Sequence, residues 1–182
     1  MSDAKTMGLP GEPAGERLID RVLRVDHAGE YGAVRIYEGQ LAVLGRDSEA
    51  GAAVAHMADQ ERRHLDAFEK LLPARRARPT VLQPLWHVAG FALGAATAML
   101  GPKAAMACTV AVEEVIDEHY RGQIEALPEE EAELKAVLEE FRREEVEHRD
   151  EALSRDAMQA PGYEILTGAI KAGSRLAIWL SS

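Results

Sequence analysis

Cysteine is nearly absent from this 182-residue chain, whose single thiol, Cys108, stands in the string AMACTVAV. One cysteine excludes an intramolecular disulfide framework and any zinc or iron–sulfur cage built on thiolates, and it suits a reducing compartment. In that apolar setting Cys108 reads as a small buried hydrophobe, not a nucleophile. Basic residues are also short: 21 Lys and Arg stand against 31 Asp and Glu, a net charge of −10. Phosphate binding needs a basic face, so no nucleic-acid partner is expected. Long apolar runs are missing as well. The most apolar stretch, 85–100, contains His87 and is closed by Gly101-Pro102-Lys103, short of the ~20 residues that cross a bilayer.

The opening string MSDAKTMGLPGEPAGERL has neither the basic start and apolar stretch of a signal peptide nor the Arg-rich, acid-poor character of a transit peptide. We expect a disordered lead-in over residues 1–15 and a single domain over 16–182.

What the chain does have is apolar residues at helical spacing. Alternating β-branched runs of strand length do not occur, so the fold class is all-α. Breakers at 45–48, 73–84, 101–102, 127–128 and 160–162 divide the sequence into six helices, near 16–44, 48–72, 85–100, 103–126, 129–158 and 162–180. Charge is unevenly spread. From Arg62 to Lys103 seven basic residues face two acidic ones, whereas from Glu129 to Asp156 five basic face twelve acidic. The acidic helix reads mainly as a solvated face. The apolar, basic-flanked middle and the last helix, with Ile165, Ile170, Leu176 and Trp179 beside Lys171 and Arg175, each permit two readings: a buried helix or an interfacial one drawn to anionic lipid.

The chemistry lies in two ExxH strings, Glu61-Arg62-Arg63-His64 and Glu145-Val146-Glu147-His148. Three residues turn a helix by about 300°, so Glu and His lie roughly 60° apart on one face and can grip one ion. One such string is weak evidence of a site. Two are specific when each of two further helices supplies a solitary Glu, the pattern of bundles that hold a pair of iron or manganese ions. Here DHAGEYGAVRIYEGQ carries Glu30 and VAVEEVIDEHYRGQ carries Glu113. Each is followed seven residues later by a tyrosine, Tyr37 or Tyr120, that opens a YxGQ string. Glu30 to Glu113 spans 83 residues and Glu61 to Glu145 spans 84, the mark of a degenerate repeat of a helical hairpin.

The tyrosine register selects Glu113 over Glu114. Gly29 and Gly32 around Glu30, and the apolar turn before Glu113, place both acids in tight or buried surroundings. Surface salt bridges would not surround solitary glutamates with apolar sequence. Four Glu and two His match two divalent or trivalent ions, and mixed carboxylate and imidazole donors suit iron or manganese better than zinc; iron is the metal we expect. Around this set, Tyr37 and Tyr120 are candidate donors to the ligating carboxylates, and Glu144 a candidate partner for a ligating His across the bundle. His119 is a candidate relay. His27, His56 and His87 read as structural or exposed, and Glu114, Asp117, Glu118 and Glu147 as solvated.

The strings RVDHAGEYGAVRIYEGQ, ExxH at Glu61, KAAMACTVAVEEVIDEHY and FRREEVEHRDEAL, with the tail PGYEILTGAIKAGSRLAIWLS, closely resemble the demethoxyubiquinol hydroxylases of ubiquinone biosynthesis. The likeness runs from about Leu18 to the end. It implies a ferritin-like four-helix bundle with two additional helices, one mid-chain and one C-terminal. The implied activity is that of a di-iron monooxygenase using O₂ to hydroxylate the ring of a polyprenylated methoxy-methyl-benzoquinol. Carried over, the iron ligands are Glu30, Glu61, His64, Glu113, Glu145 and His148, with Glu61 and Glu145 bridging, and His119 and Tyr120 fall on the family's His-Tyr pair near the site. Electrons would come from the quinol itself or by an NADH-linked route. Implied partners are the polyprenyl quinol, a lipid surface bound peripherally and other proteins of ubiquinone biosynthesis. The family's mitochondrial members carry targeting sequences that this start lacks, so the expected location is the cytoplasmic face of a bacterial cell membrane. Two rivals share the scaffold: a ferritin-like protein that oxidises iron or reduces peroxide, and a non-catalytic helical accessory protein.

Overall fold

The computed structural model describes residues 14–182, and among these there is no strand. Six helices form in the expected order: α1 (Ala14–Leu44), α2 (Glu49–Ala74), α3 (Gln83–Met99), α4 (Pro102–Ala126), α5 (Ala132–Ser154) and α6 (Tyr163–Ser181). The expected lead-in lies outside the described residues except for Ala14 and Gly15, which open α1. Ser48 caps α2, its hydroxyl accepting from the Gly51 N–H at 3.0 Å. Proline at the first turn of α3 and of α4 costs nothing, because the N–H it lacks would have no helical partner there.

The fifth helix is shorter than its periodicity suggests. A 3-10 turn at Glu129–Glu131 precedes it and another, Ala157–Gln159, follows it. Asp156 stands between with φ of 62°, a left-handed conformation that Asp tolerates and that no α-helix can continue through. At α2 the helix instead runs through Pro73 into its last turn.

Two helical hairpins, α1–α2 and α4–α5, face each other to make a four-helix, ferritin-like bundle, while α3 lies along α1 and α6 along α4. The α1–α3 seam is backbone against backbone. A methyl group at Gly94 would overlap the Ile36 carbonyl, and one at Gly39 the Phe91 carbonyl. The two hairpins meet through side chains in three layers. Leu23, Phe68, Leu138 and Phe141 fill one apolar layer, and Val54, Met57, Met106 and Val110 fill the other. Between them lies a layer of buried acids and imidazoles.

Outside the bundle, α3 has two characters. Gly90, Gly94, Thr97 and Ala98 are buried, whereas Val88 is 65% exposed and Met99 76%. The helix thus buries one side of its apolar sequence and exposes another. On α6, Ile165 and Trp179 are exposed in the same way. No described helix is long and apolar enough to cross a membrane.

Candidate metal centre

Glu30, Glu61, His64, Glu113, Glu145 and His148 all lie in the polar layer, each no more than 2% exposed. The helical spacing does this directly: α1 and α4 contribute one glutamate each, and α2 and α5 each present Glu and His one turn apart. The side chains sort into two overlapping quartets, Glu30–Glu61–His64–Glu145 and Glu61–Glu113–Glu145–His148, in each of which the ligand atoms lie within 4.8 Å of one another. Glu61 and Glu145 belong to both. Glu114, by contrast, is turned outward to pair with Lys171.

Among the described residues, six atoms of this cluster have no hydrogen-bond partner: Glu30 Oε2, both Glu61 oxygens, His64 Nδ1, Glu113 Oε2 and Glu145 Oε1. They crowd without bonding. His64 Nδ1 is 3.4 Å from Glu30 Oε2 and 3.1 Å from Glu145 Oε1, and His148 Nδ1 is 3.0 Å from Glu61 Oε1. Orphaned, converging lone pairs in an apolar interior are costly unless cations or protons satisfy them. The residues therefore fit a pair of metal ions.

With protons alone, the cluster's ionisation is skewed. Burial pushes the Glu61 and Glu113 carboxyls well above the usual carboxylate range, and the neighbouring Glu145 charge pushes them further. Glu145 moves the other way, to about 2, because contacts with His148 and His64 outweigh its own burial. Burial would lower both imidazoles, but their carboxylate neighbours win and raise His64 to about 12 and His148 to about 11. The cluster holds protons where it would otherwise hold metal.

A ring of partners fixes the cluster from outside. Tyr37 Oη donates to Glu113 Oε1 at 2.6 Å, and Tyr120 Oη donates to Glu30 Oε1. Burial, then the adjacent carboxylates, raise both phenols well above their usual range, so they remain donors. The outward nitrogens of the imidazoles are held as well. His64 Nε2 donates to Glu144 Oε2 at 3.1 Å, and His148 Nε2 donates to Gln60 Oε1 at 3.2 Å. Gln60 Nε2 in turn donates to Glu144 Oε2 at 3.2 Å. Because these bonds keep a proton on Nε2, each Nδ1 faces inward, and on loss of its own proton it would present the lone pair that a metal ligand needs. Phe141 stacks on His64 with ring centroids 4.1 Å apart and fixes its plane.

Glu144 thus holds an imidazole from across the bundle, as expected of it. Gln60 was missed, although it precedes Glu61 as Glu144 precedes Glu145, at the same 84-residue offset. His119 contacts Gln123 at 2.9 Å and buried Asp26 at 3.4 Å, another acid that the sequence did not single out. His56 and His87 are exposed, His87 accepting from or donating to Tyr31 Oη at 2.6 Å, and His27 is buried.

Beside the cluster, an apolar cavity of about 350 Å³ lies between α1, α3, α4 and α6. Gly29 and Gly32 form its floor, and no atom lies within 4 Å of where their Cβ would be. The space beside both glycines is open, where the sequence suggested tight surroundings for Glu30. Trp86 and Ile178 line the outer part, and Trp86 Nε1 donates to Ser181 Oγ at 3.0 Å, joining α3 to the end of α6.

A ferritin-like bundle whose core layer is four glutamates and two histidines in overlapping quartets defines the class: a helical scaffold built around a carboxylate-rich cluster able to hold metal. Within that class, a family model described as "Ubiquinone biosynthesis protein COQ7" matches residues 17–181, and the chain belongs to that family. A relative from Rhodospirillum rubrum named 3-demethoxyubiquinol 3-hydroxylase is 62% identical over 173 residues, covering 95% of this chain and 82% of its own. One from Rattus norvegicus named NADPH-dependent 3-demethoxyubiquinone 3-hydroxylase, mitochondrial, is 58% identical over 178 residues, covering 96% and 82%. One from Saccharomyces cerevisiae named 5-demethoxyubiquinone hydroxylase, mitochondrial, is 44% identical over 177 residues, covering 88% and 76%.

Proposed function

We propose that this protein is an O₂-dependent di-iron monooxygenase that hydroxylates the ring of a polyprenylated demethoxyubiquinol, with residues 16–182 acting as one domain. The observation that carries this reading is the convergence of orphaned carboxylate and imidazole atoms in two quartets that share Glu61 and Glu145. Glu30, His64, Glu113 and His148 would each serve one iron and the shared glutamates would bridge. Bound iron supplies the activation of O₂ that no side chain can provide. The remaining work falls to the chain. Tyr37 and Tyr120 hold the two terminal carboxylates, Glu144 and Gln60 hold the imidazoles, and the apolar layers exclude water.

The cavity supports a substrate with a planar head and an apolar tail, because its floor lies one residue from Glu30 and its rim is formed by α3 and α6. Those helices carry exposed Leu85, Val88, Ile165 and Trp179, which supports a peripheral seat on a lipid surface, such as the cytoplasmic face of a bacterial membrane, with the tail entering from the bilayer. A reduced nicotinamide or the quinol itself would supply electrons; the name of the rat relative specifies NADPH.

The test is a single turnover. Protein loaded anaerobically with ferrous iron is mixed with a short-tail demethoxyquinol and ¹⁸O₂, and the product ring should carry one ¹⁸O. Rapid ferrous oxidation without labelled quinol would instead favour iron oxidation and storage.

A further inference from the structure

The repeat that relates the two hairpins also shows where they differ. Under the offsets of 83 and 84 that pair the ligands, Leu23 falls on Met106 and Met57 on Phe141. The two ends of the cluster are therefore closed by different chemistry. At the Glu30–His64 end Leu23, Phe68, Leu138 and Phe141 are hydrocarbon throughout, and Phe141 stacks on the imidazole. At the Glu113–His148 end the apolar layer contains two thioethers, Met57 and Met106, each 1% exposed. Volume alone does not require them, because leucine fills nearly the same space.

Met57 is tied to the ligands through a single group. Tyr37 Oη, which donates to Glu113 Oε1 at 2.6 Å, lies 3.9 Å from Met57 Sδ. The same tyrosine ring meets His148 edge-on, with centroids 6.4 Å apart. A thioether is a weak acceptor, so the phenol gives its proton to the carboxylate. Oxidation would reverse that preference, since a sulfoxide is polar and its oxygen accepts strongly.

We propose that Met57 is a built-in oxidation site of the metal centre: when O₂ is reduced there with no quinol in the apolar cavity, Met57 takes the oxygen atom and becomes the sulfoxide. The inference rests on the O₂-activating part of the reading above. The step balances as R–S–CH₃ + O₂ + 2e⁻ + 2H⁺ gives R–S(O)–CH₃ + H₂O. A sulfur lone pair forms the S–O bond, the O–O bond breaks, and the second oxygen leaves as water with the two protons, which come from solvent. Sulfur supplies two electrons and the ferrous iron of the loaded centre supplies the other two. The sulfoxide then draws the Tyr37 hydroxyl away from Glu113, and the ion held by Glu113 and His148 binds roughly 10-fold more weakly. Turnover without substrate thus loosens the centre that performs it.

Surface methionines make the test selective. An oxidant arriving from solvent attacks methionine according to exposure, so Met99 and Met158, 76% and 68% exposed, would react well before Met57. Protein loaded anaerobically with ferrous iron is given ¹⁸O₂ and catalase without quinol, then digested, and the methionine peptides are compared by mass spectrometry. Met57 should carry most of the ¹⁸O, ahead of Met99, Met158 and Met106, and a short-tail demethoxyquinol should divert the label from Met57 to its own ring. After repeated exposure to O₂ without quinol, the parent should bind the Glu113–His148 ion roughly 10-fold more weakly, whereas Met57→Leu should bind both ions as before. Label spread according to exposure, label confined to Met106, an unlabelled Met57 in a parent that hydroxylates the quinol, or equal weakening in parent and Met57→Leu would overturn the oxidation site. A parent that labels Met57 but forms no labelled quinol overturns the hydroxylase reading and leaves the oxidation site standing. A parent that labels neither overturns both.

Discussion

The Tyr37 phenol reaches across the bundle to Glu113, 2.6 Å from Oη to Oε1, while its repeat counterpart Tyr120 reaches back to Glu30. Each hairpin's tyrosine therefore holds the other hairpin's carboxylate. Tyr37→Phe leaves Glu113 Oε1 without its donor in a buried site, at a cost of about 1–3 kcal/mol when the carboxylate is charged. The metal ion held by Glu113 and His148 should bind roughly 10-fold more weakly, with the other ion less affected. Ferrous titration followed by optical absorption or calorimetry checks this.

Glu144 and Gln60 divide the two imidazoles between them. Glu144→Ala should weaken the ion at the Glu30–His64 end and Gln60→Ala the ion at the Glu113–His148 end, each by about 10- to 100-fold. Stepwise loading of the single variants distinguishes the two ends, and equal weakening of both ions by either variant would contradict the assignment.

The protein without metal should lose stability as pH rises from about 6 to 9. His64 and His148 are raised to about 12 and 11, and Glu61 and Glu113 well above 4.5, so the folded state holds more protons than the unfolded state throughout that interval. The sign is fixed by that excess: the stabilisation from the imidazoles is complete below 6.5 and fades as pH climbs toward the folded values. At roughly 2–4 °C per kcal/mol for a chain of this size, Tm should drop by several degrees. Ferrous loading should reverse the trend, since ligands must shed protons to bind. Thermal unfolding of both forms at pH 6, 7.5 and 9 measures it.

If the outer faces of α3 and α6 sit on lipid, Trp179→Glu with Val88→Glu should sharply reduce the fraction that co-sediments with anionic vesicles, without lowering iron content. Both positions are exposed, so the fold loses little.

Gly32→Leu should fill the inner end of the apolar cavity. Turnover of a demethoxyquinol should fall far more than metal binding does, with KM rising. Unchanged kcat and KM would put the substrate elsewhere.

The core of the site was legible because ExxH on a helix leaves no freedom about which face its two side chains share, and the tyrosine seven residues on picked out Glu113. The crossing of the tyrosines was concealed. Tyr37 does share a face with Glu30, but seven residues is about 10.5 Å of helix, too far for direct contact, so its hydroxyl meets the opposite hairpin. Gln60 was open to the same offset arithmetic that paired the glutamates. Asp26 was not: its burial depends on Gln123 and His119 arriving from α4, which no local pattern encodes. The position of α3 was equally hidden, since a helix apolar on every side does not say which side faces inward.

The glycine seam at Gly39 and Gly94 leaves α3 no room to slide or lift from α1 without parting two main chains in van der Waals contact. If a quinol head group enters this cavity, it would have to be admitted by the opposite wall. That wall is α6, whose C-terminal end is fastened to α3 by the hydrogen bond between Trp86 and Ser181. On that reading the last helix, and not the mid-chain one, would set how wide the doorway can open.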